Sequence, residues 1–279
     1  MQKTQLFLVG VPIGHFDDMT FRALETLKKV DVIAAEDTRK AKKLLDHFKI
    51  TGKQVLSHGA HNEHHSVDGL IALIQKGQTM AYISDAGMPG ISDPGYMLVR
   101  AALQADVVFD VIPGVTAATT AVTLSALPCD KFTFHGFLPR REGPKLRYLE
   151  NLMSREETHI FYEAPHRVMD TFAALAQTCP DRLCAVGREL TKIHQECVRG
   201  TVADVYQEFQ SRDDILGEFT IILAGQGEVA EQVESLDDAI LTLLAKGMKV
   251  KDIRDQLVEK STLSKKEIYQ RILSLKSDG

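Results

Sequence analysis

Short apolar runs alternate with amphipathic segments along the first 127 residues of the chain. The apolar runs, such as Val32–Ala35, have the length of strands, whereas Thr38–His47 carries its apolar residues at helical spacing. Strands that alternate with helices predict a parallel sheet with helices on both faces, so the expected fold class is α/β. The predicted strands are Gln5–Val9, Val32–Ala35, Gln54–Ser57, Thr79–Ser84 and Val107–Ile112, and the predicted helices are Met19–Lys29, Thr38–His47, Val67–Lys76, Ala117–Ser125 and one between the last two strands.

The pattern restarts near Pro128 and changes again after Gly227. We therefore predict an N-terminal α/β domain at residues 1–128, a C-terminal α/β domain at 129–227 and a small basic helical domain at 228–279. The second domain is predicted to contain strands at Lys131–Phe137, His159–Ala164, Arg182–Gly187 and Glu218–Gly225 and helices at Pro144–Met153 and Arg167–Gln177. The third is predicted to contain helices at Leu236–Lys246, Val250–Lys260 and Lys265–Leu275.

Charge is distributed unevenly along the chain. The 279 residues carry a formal net charge of −5, so a nucleic-acid partner would need a local basic patch. Residues 246–276 provide one, with nine Lys/Arg against four Asp/Glu. Two interpretations of this tail stay open: contact with nucleic acid, or a solvated helical appendage that aids dimerisation or folding.

Cysteine usage and hydropathy indicate the compartment. The four cysteines have no CxxC spacing, which is typical of reduced thiols in a cytosolic protein. The apolar run at the N-terminus is too short for a signal peptide, and no run approaches the roughly 20 residues of a membrane helix. We expect a cytoplasmic protein.

Three turn-rich segments each follow a predicted strand: Gly10–Gly14, Asp85–Gly90 and Pro113–Ala117. In parallel α/β sheets ligands bind beyond the carboxyl ends of the strands, so these three segments predict one binding site. The first of them lacks GxGxxG and the chain lacks GxxxxGK[ST], which argues against an ordinary dinucleotide site and against nucleotide hydrolysis.

Polar clusters follow other predicted strands. The segment Ala35–Lys40 either lines a cleft or caps the next helix, and both can hold together. In the second domain, Phe161–Arg167 and Gly187–Glu196 each place acids and bases at the carboxyl end of a strand, although surface ion pairs would give the same pattern. Four histidines at Ser57–His65 raise a zinc hypothesis, but we favour a mobile polar loop near a substrate mouth and expect no metal.

Several of these segments occur together in the order of a known family: "PIG", "EDTR", "SDAG", "ISDPGY", "PGVTA", "GFLPR", "IFYEAPHR" and "GRELTKIHQE". This pattern resembles the tetrapyrrole-methylase-like (class III) S-adenosylmethionine methyltransferases. Within that class it is similar to the members that methylate the ribose 2′-oxygen of a cytidine in 16S ribosomal RNA. The resemblance implies two α/β domains of the tetrapyrrole methylase type with a small C-terminal helical domain, and S-adenosylmethionine bound between the two α/β domains.

The resemblance also implies site residues, a partner and a homodimer. The expected cofactor contacts are Pro12, Ile13, Gly14, Asp85, Ala86, Gly87, Pro89, Thr116, Ala117, Glu163, Leu190, Ala224 and Gly225. The catalytic candidates are Glu36, Asp37, Arg39, Arg167, Glu189 and Lys192, and which of them takes the proton is open. Expected contacts to phosphates of 16S rRNA in the small ribosomal subunit are Lys40, Lys42, Lys43, Arg140, Arg141 and the lysines of the tail.

Two other functions stay open at this point. One is methylation of a small tetrapyrrole-like substrate with the same cofactor, and the other is a non-catalytic role in ribosome assembly. The basic segment that follows Phe137 and the basic tail argue against the first, because a porphyrinoid requires neither.

Overall fold

A computed structural model of the chain describes residues 3–227, 240, 243–244, 248–258 and 265–277. Residues 1–228 form one compact unit and residues 229–279 form a second. Two five-stranded sheets build the first unit. The predicted domain boundaries at residues 128 and 227 stay predictions.

The first sheet is parallel throughout, with strand order β3-β2-β4-β1-β5. Its strands are β1 (Leu6–Val9), β2 (Val32–Ala35), β3 (Gln54–Ser57), β4 (Met80–Ile83) and β5 (Phe109–Ile112). Its helices are α1 (Phe21–Lys29), α2 (Thr38–His47), α3 (Glu63–Gln75), α4 (Tyr96–Gln104) and α5 (Ala117–Ser125).

Helices cover both faces of this sheet. One apolar cluster joins the sheet to α1 and α2, and a second joins its other face to α3 and α4. Every residue of the central strand β4 and of its neighbour β2 is buried, as expected for strands covered on both sides. The predicted α/β class is confirmed.

The second sheet is mixed, with order β6-β7-β10-β8-β9. Only β6 and β7 are parallel neighbours, whereas β10 runs antiparallel to both β7 and β8. The carboxyl ends of β7 and β8 therefore share one edge of the sheet with the amino end of β10. The elements are β6 (Phe132–Phe137), β7 (Thr158–Glu163), β8 (Leu183–Arg188), β9 (Glu196–Thr201), β10 (Phe219–Leu223), α6 (Glu142–Glu150), α7 (Pro165–Thr178) and α8 (Val202–Gln210).

The sequence pattern did not predict β9 and α8. Strand β9 is an edge strand without a fully buried residue, so it lacks the apolar run that marks a strand. Helix α8 begins directly after it, with Thr201 and Asp204 forming a reciprocal capping box. Helix α3 also begins four residues earlier than predicted, because its first turn is polar and lies outside the apolar pattern.

Helix α5 joins the two sheets. Its small residues Ala118 and Ala121 pack with Ile160 and Ile222 of the second sheet. The hydroxyl of Tyr162 accepts a hydrogen bond from the backbone N–H of Ala118 at 3.1 Å. Small side chains on α5 allow this close approach, and a cleft forms where the loops of the first sheet meet the edge of the second.

The second compact unit contains two described helices, α9 (Val250–Val258) and α10 (Lys265–Ser277). Ile253 of α9 packs with Ile268 and Ile272 of α10, and Ile240 joins this small core. The predicted helix Leu236–Lys246 falls largely outside the described residues. None of the helices in the described part of the chain combines the length and the apolar character needed to cross a membrane.

Candidate active site

Two adjoining cavities occupy the cleft between the sheets, with volumes of about 340 and 260 Å³. Ile13, Ala86 and Glu218 line both of them. The walls come from the loops after β1, β4, β5, β7 and β8, from α2, and from the carboxyl end of β6 and the amino end of β10. This is the edge at which ligands bind in parallel α/β sheets, as the turn-rich segments predict.

Asp85 fixes the loop after β4 to the end of β2. Its backbone N–H donates to Glu36 Oε2 at 3.1 Å, and its Oδ1 accepts from the N–H of Asp37 at 3.0 Å. Lys40 of α2 adds an ion pair at 2.8 Å to Asp85 Oδ2. Burial, followed by the nearby Asp85 carboxylate, raises the pKa of Glu36 above its ordinary value.

Asp37 and Arg39 complete this corner. Asp37 caps α2, because its side chain accepts from the N–H of Arg39 at 2.8 Å. The guanidinium of Arg39 also bonds the same carboxylate and lowers the pKa of Asp37. The capping role is thus observed for Asp37, and Lys40, in the first turn of the same helix, lines the smaller cavity.

Gly87 lets two loops meet at the backbone. Its N–H donates to the carbonyl of Val11 at 3.1 Å, and its carbonyl accepts from the N–H of Val11 at 2.9 Å. The φ angle of Gly87 is +72°, a conformation that residues with a Cβ rarely adopt. A Cβ on the neighbouring Gly10 would lie 2.7 Å from the backbone nitrogen of Gly114, so the loops after β1, β4 and β5 touch each other.

Glu163 is buried at the carboxyl end of β7 and belongs to a hydrogen-bonded chain. Its Oε2 accepts from the hydroxyl of Thr171 at 2.7 Å, and Lys145 donates to that hydroxyl at 3.1 Å. Arg167 approaches Oε1 of Glu163 at 3.5 Å and also donates to the carbonyl of Leu138 at 2.8 Å. Burial lowers the pKa of Lys145. The contacts of Arg167 hold the wall of the larger cavity in place.

Glu189, Lys192 and Glu218 form a second ionic group. The ammonium of Lys192 lies 2.8 Å from Glu189 Oε1 and 2.9 Å from Glu218 Oε2. Glu189 Oε1 also accepts from the N–H of Glu218 at 2.9 Å. Glu189 and Thr191 both have positive φ angles, a strain that occurs most often at functional sites.

The structure brings most of the predicted residues to the cleft. Glu36 and Asp37 contact Asp85, and Arg39 contacts Asp37. In the second sheet, Arg167 contacts Glu163, and Glu189 contacts Lys192. Pro89 adjoins Met88 of the larger cavity, and Leu190 packs beneath the cleft with Ile13. The predicted cofactor and catalytic residues that line a cavity are Pro12, Ile13, Gly14, Asp85, Ala86, Gly87, Thr116, Ala117, Glu163 and Lys192.

Two predicted cofactor contacts, Ala224 and Gly225, line neither cavity. They follow β10, which runs antiparallel to β7 and β8, so they lie at the opposite edge of the second sheet. There a Cβ on Gly225 would lie 1.8 Å from the carbonyl oxygen of Glu156. Phe219 and Thr220, at the other end of the same strand, line the cavity instead. Strand direction within a mixed sheet cannot be read from a strand's own sequence.

Several lining residues were not among the candidates: Ile91, Asp93, Phe137, Tyr162 and Glu218. Asp93 has the strongest electrostatic signature, because burial raises its pKa to about 7. The turn-rich sequence around it predicted a binding loop but gave no reason to choose this carboxylate. Among the described residues, no group of three or more His, Cys, Asp or Glu side chains is placed to hold a metal ion.

A protein-family model described as "Tetrapyrrole (Corrin/Porphyrin) Methylases" matches residues 5–206. This range includes all the residues that line the two cavities except Glu218, Phe219 and Thr220. The chain belongs to the tetrapyrrole methylase family. The predicted family is thereby confirmed. As a tetrapyrrole methylase the chain is a methyltransferase, and S-adenosylmethionine is its methyl donor.

Relatives of this tetrapyrrole methylase extend over its whole length. Ribosomal RNA small subunit methyltransferase I from Synechocystis sp. is 42% identical over 98% of this chain and 99% of its own. The protein of the same name from Halalkalibacterium halodurans is 41% identical over 96% of this chain and 94% of its own. Uroporphyrin-III-C-methyltransferase from Thermus thermophilus, at 18% identity and a TM-score of 0.55, covers 80% of this chain and 94% of its own and shares the fold.

The larger cavity of this tetrapyrrole methylase fits the methyl donor. Its volume of about 340 Å³ lies in the range of small-molecule sites, which is roughly 300–1,000 Å³. Its lining contains the side chains of Glu163 and Glu218 and the carboxyl of Asp93, as suits a positively charged sulfonium. Apolar side chains such as Ile13 and Phe137 supply the surface that an adenosyl group needs.

Proposed function

We propose that this chain methylates ribosomal RNA of the small subunit, at the ribose 2′-oxygen of a cytidine, with S-adenosylmethionine as donor. The observation that supports this most is the similarity to proteins named ribosomal RNA small subunit methyltransferase I, which reaches 42% identity over 98% of the chain. The similarity includes the basic tail as well as the cleft. We further propose that the protein acts in the cytoplasm as a homodimer.

The proposed cofactor site is the larger cavity. When bound, S-adenosylmethionine supplies a methyl group on a cationic sulfur that an oxygen nucleophile displaces in line. Gly87 provides close backbone approach there, and Thr116 lines the same cavity as the N-cap of α5, where its side chain accepts from the N–H of Thr119. We assign cofactor contacts to Ile13, Ala86 and Ala117 as well, because they line the same space.

The catalytic candidates divide by their contacts. Glu36 accepts from the backbone of Asp85, and Arg167 donates to a backbone carbonyl, so we propose that these two position the loops. The ammonium of Lys192 is held by two carboxylates at the edge of a cavity, where a cation favours an oxygen nucleophile. The general base is left open among the carboxylates of the cleft.

RNA contact is proposed for exposed cations outside the cleft. Lys42 of α2, Arg140 and Arg141 are exposed, and so are the tail residues Lys251 and Lys265. Cations in such positions neutralise phosphates and give binding that weakens with salt.

The test is transfer of a labelled methyl group. Wild-type protein is incubated with labelled S-adenosylmethionine and unmethylated small ribosomal subunits, and the RNA is digested to nucleosides for mass spectrometry. We expect the label in 2′-O-methylcytidine. Label in a base would contradict the proposed position, and no label in RNA would leave the non-catalytic assembly role or the tetrapyrrole substrate.

A further inference from the structure

We propose that the smaller cavity is the seat of the acceptor nucleotide: Lys43 and Lys40 contact its phosphate and Phe16 stacks on its base, while the methyl donor occupies the larger cavity. This inference rests on the proposed RNA substrate and names where the reacting nucleotide binds.

The charges of the two cavities are opposite in kind. The larger one is lined by three carboxylates and, among the described residues, by no lysine, arginine or histidine. The smaller one is lined by Lys40, Lys43 and Lys192, with Asp85 and Glu218. The acidic larger cavity therefore suits a cationic sulfonium, and the lysines of the smaller cavity suit an anionic phosphodiester.

Lys43 is the cation most available to a phosphate. Lys40 is paired with Asp85, and Lys192 is paired with Glu189 and Glu218. Within the part of the chain that the structure describes, Lys43 has no ion pair and is exposed. Since Lys40 and Lys43 lie three residues apart on α2, their ammonium groups share one face of the helix.

Phe16 gives the smaller cavity an aromatic wall. Its ring stacks on His47 at 4.1 Å between centroids and meets Phe48 edge-on at 6.1 Å, so it is supported from behind. Phe16 lines the smaller cavity and is 38% exposed, so part of its side chain stays accessible. Exposed, supported aromatic rings beside cations are how proteins hold unstacked RNA bases.

The short helical turn that carries Phe16 is anchored to the second half of the cleft. The N–H of the preceding residue, His15, donates to Thr191 Oγ1 at 3.1 Å, and the His15 side chain accepts from the N–H of Asp17. A Cβ on Gly14 would lie 2.6 Å from the side chains of Thr191 and Lys192. This anchoring fixes the ring before any ligand arrives.

The shared wall determines where the sugar lies. Ile13, Ala86 and Glu218 line both cavities, so a group that reaches this wall from the smaller cavity meets the contents of the larger one. A nucleotide with its base on Phe16 and its phosphate at Lys43 has its ribose between them. The ribose is the part of the acceptor that must approach the donor.

The experiment compares matched variants of the full-length protein. Lys43→Ala is paired with Lys76→Ala, an exposed lysine at the end of α3. Phe16→Leu, which keeps the apolar bulk, is paired with Phe16→Tyr, which keeps the ring, and with Phe21→Leu, an 89% exposed phenylalanine at the start of α1. For each variant we measure KM for unmethylated small subunits, calorimetric affinity for S-adenosylmethionine, and binding to 16S rRNA at several salt concentrations.

We expect Lys43→Ala and Phe16→Leu to raise KM for the subunits about tenfold with unchanged affinity for S-adenosylmethionine. Lys43→Ala should also reduce the salt slope of RNA binding by roughly one. Phe16→Tyr should restore KM, and the two control variants should match the wild type. Circular dichroism spectra equal to that of the wild type exclude misfolding.

Two results would overturn the inference while the proposed function stands. One is a wild type that methylates RNA with Lys43→Ala and Phe16→Leu indistinguishable from their controls. The other is weakened S-adenosylmethionine binding in these variants with unchanged KM for subunits, which would place the donor in the smaller cavity. A wild type that transfers no label to RNA would overturn the proposed function and the inference together.

Discussion

Replacing Asp93 by asparagine is expected to stabilise the protein, and increasingly so as the pH rises. The Asp93 carboxyl lies in the wall of the larger cavity, where burial and the carboxylates of Glu36 and Asp85 raise its pKa to about 7. The nearby hydroxyl of Ser84 and the charge of Lys40 oppose this rise and do not outweigh it. The ordinary pKa of an aspartate is 3.8, so the folded protein loses this proton at a pH about three units higher than the unfolded chain does.

The sign of the effect follows from proton linkage. Below about pH 4 the carboxyl is protonated in both states and costs nothing. Between about pH 4 and pH 7 the unfolded chain ionises while the folded protein stays neutral, so stability falls by about 1.4 kcal/mol per pH unit. Above pH 7 the cost is constant, with an upper bound of about 4 kcal/mol that screening by water reduces because the carboxyl is only partly buried. Asparagine carries no charge and avoids this cost.

Urea unfolding followed by circular dichroism measures the effect. The stability difference between Asp93→Asn and the wild type should grow from pH 5 to pH 8 by about 1 kcal/mol or more, with an upper bound of about 3 kcal/mol for an unscreened carboxyl. Asp213→Asn, at an exposed aspartate, is the control and should show no such growth. If the Asp93→Asn difference stays constant over this range, the carboxyl does not titrate near pH 7 and the reasoning is refuted.

Four further outcomes are expected. Gly69→Ala, on the exposed face of α3 with open space around it, should raise stability by about 0.5–1 kcal/mol in urea. Gly225→Ala should lower it by several times that amount, because its Cβ would collide with the carbonyl of Glu156, and equal stabilities would contradict the described backbone. Thr171→Val should cost roughly 1–3 kcal/mol, since it leaves the buried ammonium of Lys145 without its hydrogen-bond acceptor, and a neutral result would argue against that bond. The affinity for 16S rRNA should fall steeply with salt, with a log–log slope of about −4 for five phosphate contacts, whereas a flat dependence would exclude the proposed cations.

The sequence predicted the first sheet closely because its strands and helices each carry their own pattern. Strand β2 is buried on both faces and reads as a continuous apolar run, and α2 shows helical spacing, so the predicted bounds agree with those observed. The second sheet was harder to predict because its organisation depends on partners distant in sequence. Nothing in the apolar run of β10 reveals that it lies antiparallel between β7 and β8.

The residues of the cleft likewise divide into some that the sequence could predict and some that it could not. The loops after parallel strands were predictable, because parallel strands bring their carboxyl ends to one edge, and Ala86, Gly87 and Thr116 indeed lie together there. Asp93 and Glu218 were not predictable, because their importance comes from burial and from neighbours that only the folded chain assembles. The charge difference between the cavities arises in the same way, since each lining set combines segments from both sheets.

We propose that the cleft between the two sheets holds the methyl donor in its larger cavity. A crystal structure with bound S-adenosylhomocysteine is the decisive experiment. We expect the ligand among Ala86, Gly87 and Thr116, with its sulfur facing the wall shared with the smaller cavity. A ligand bound elsewhere on the protein, or in the smaller cavity beside Lys43, would contradict it.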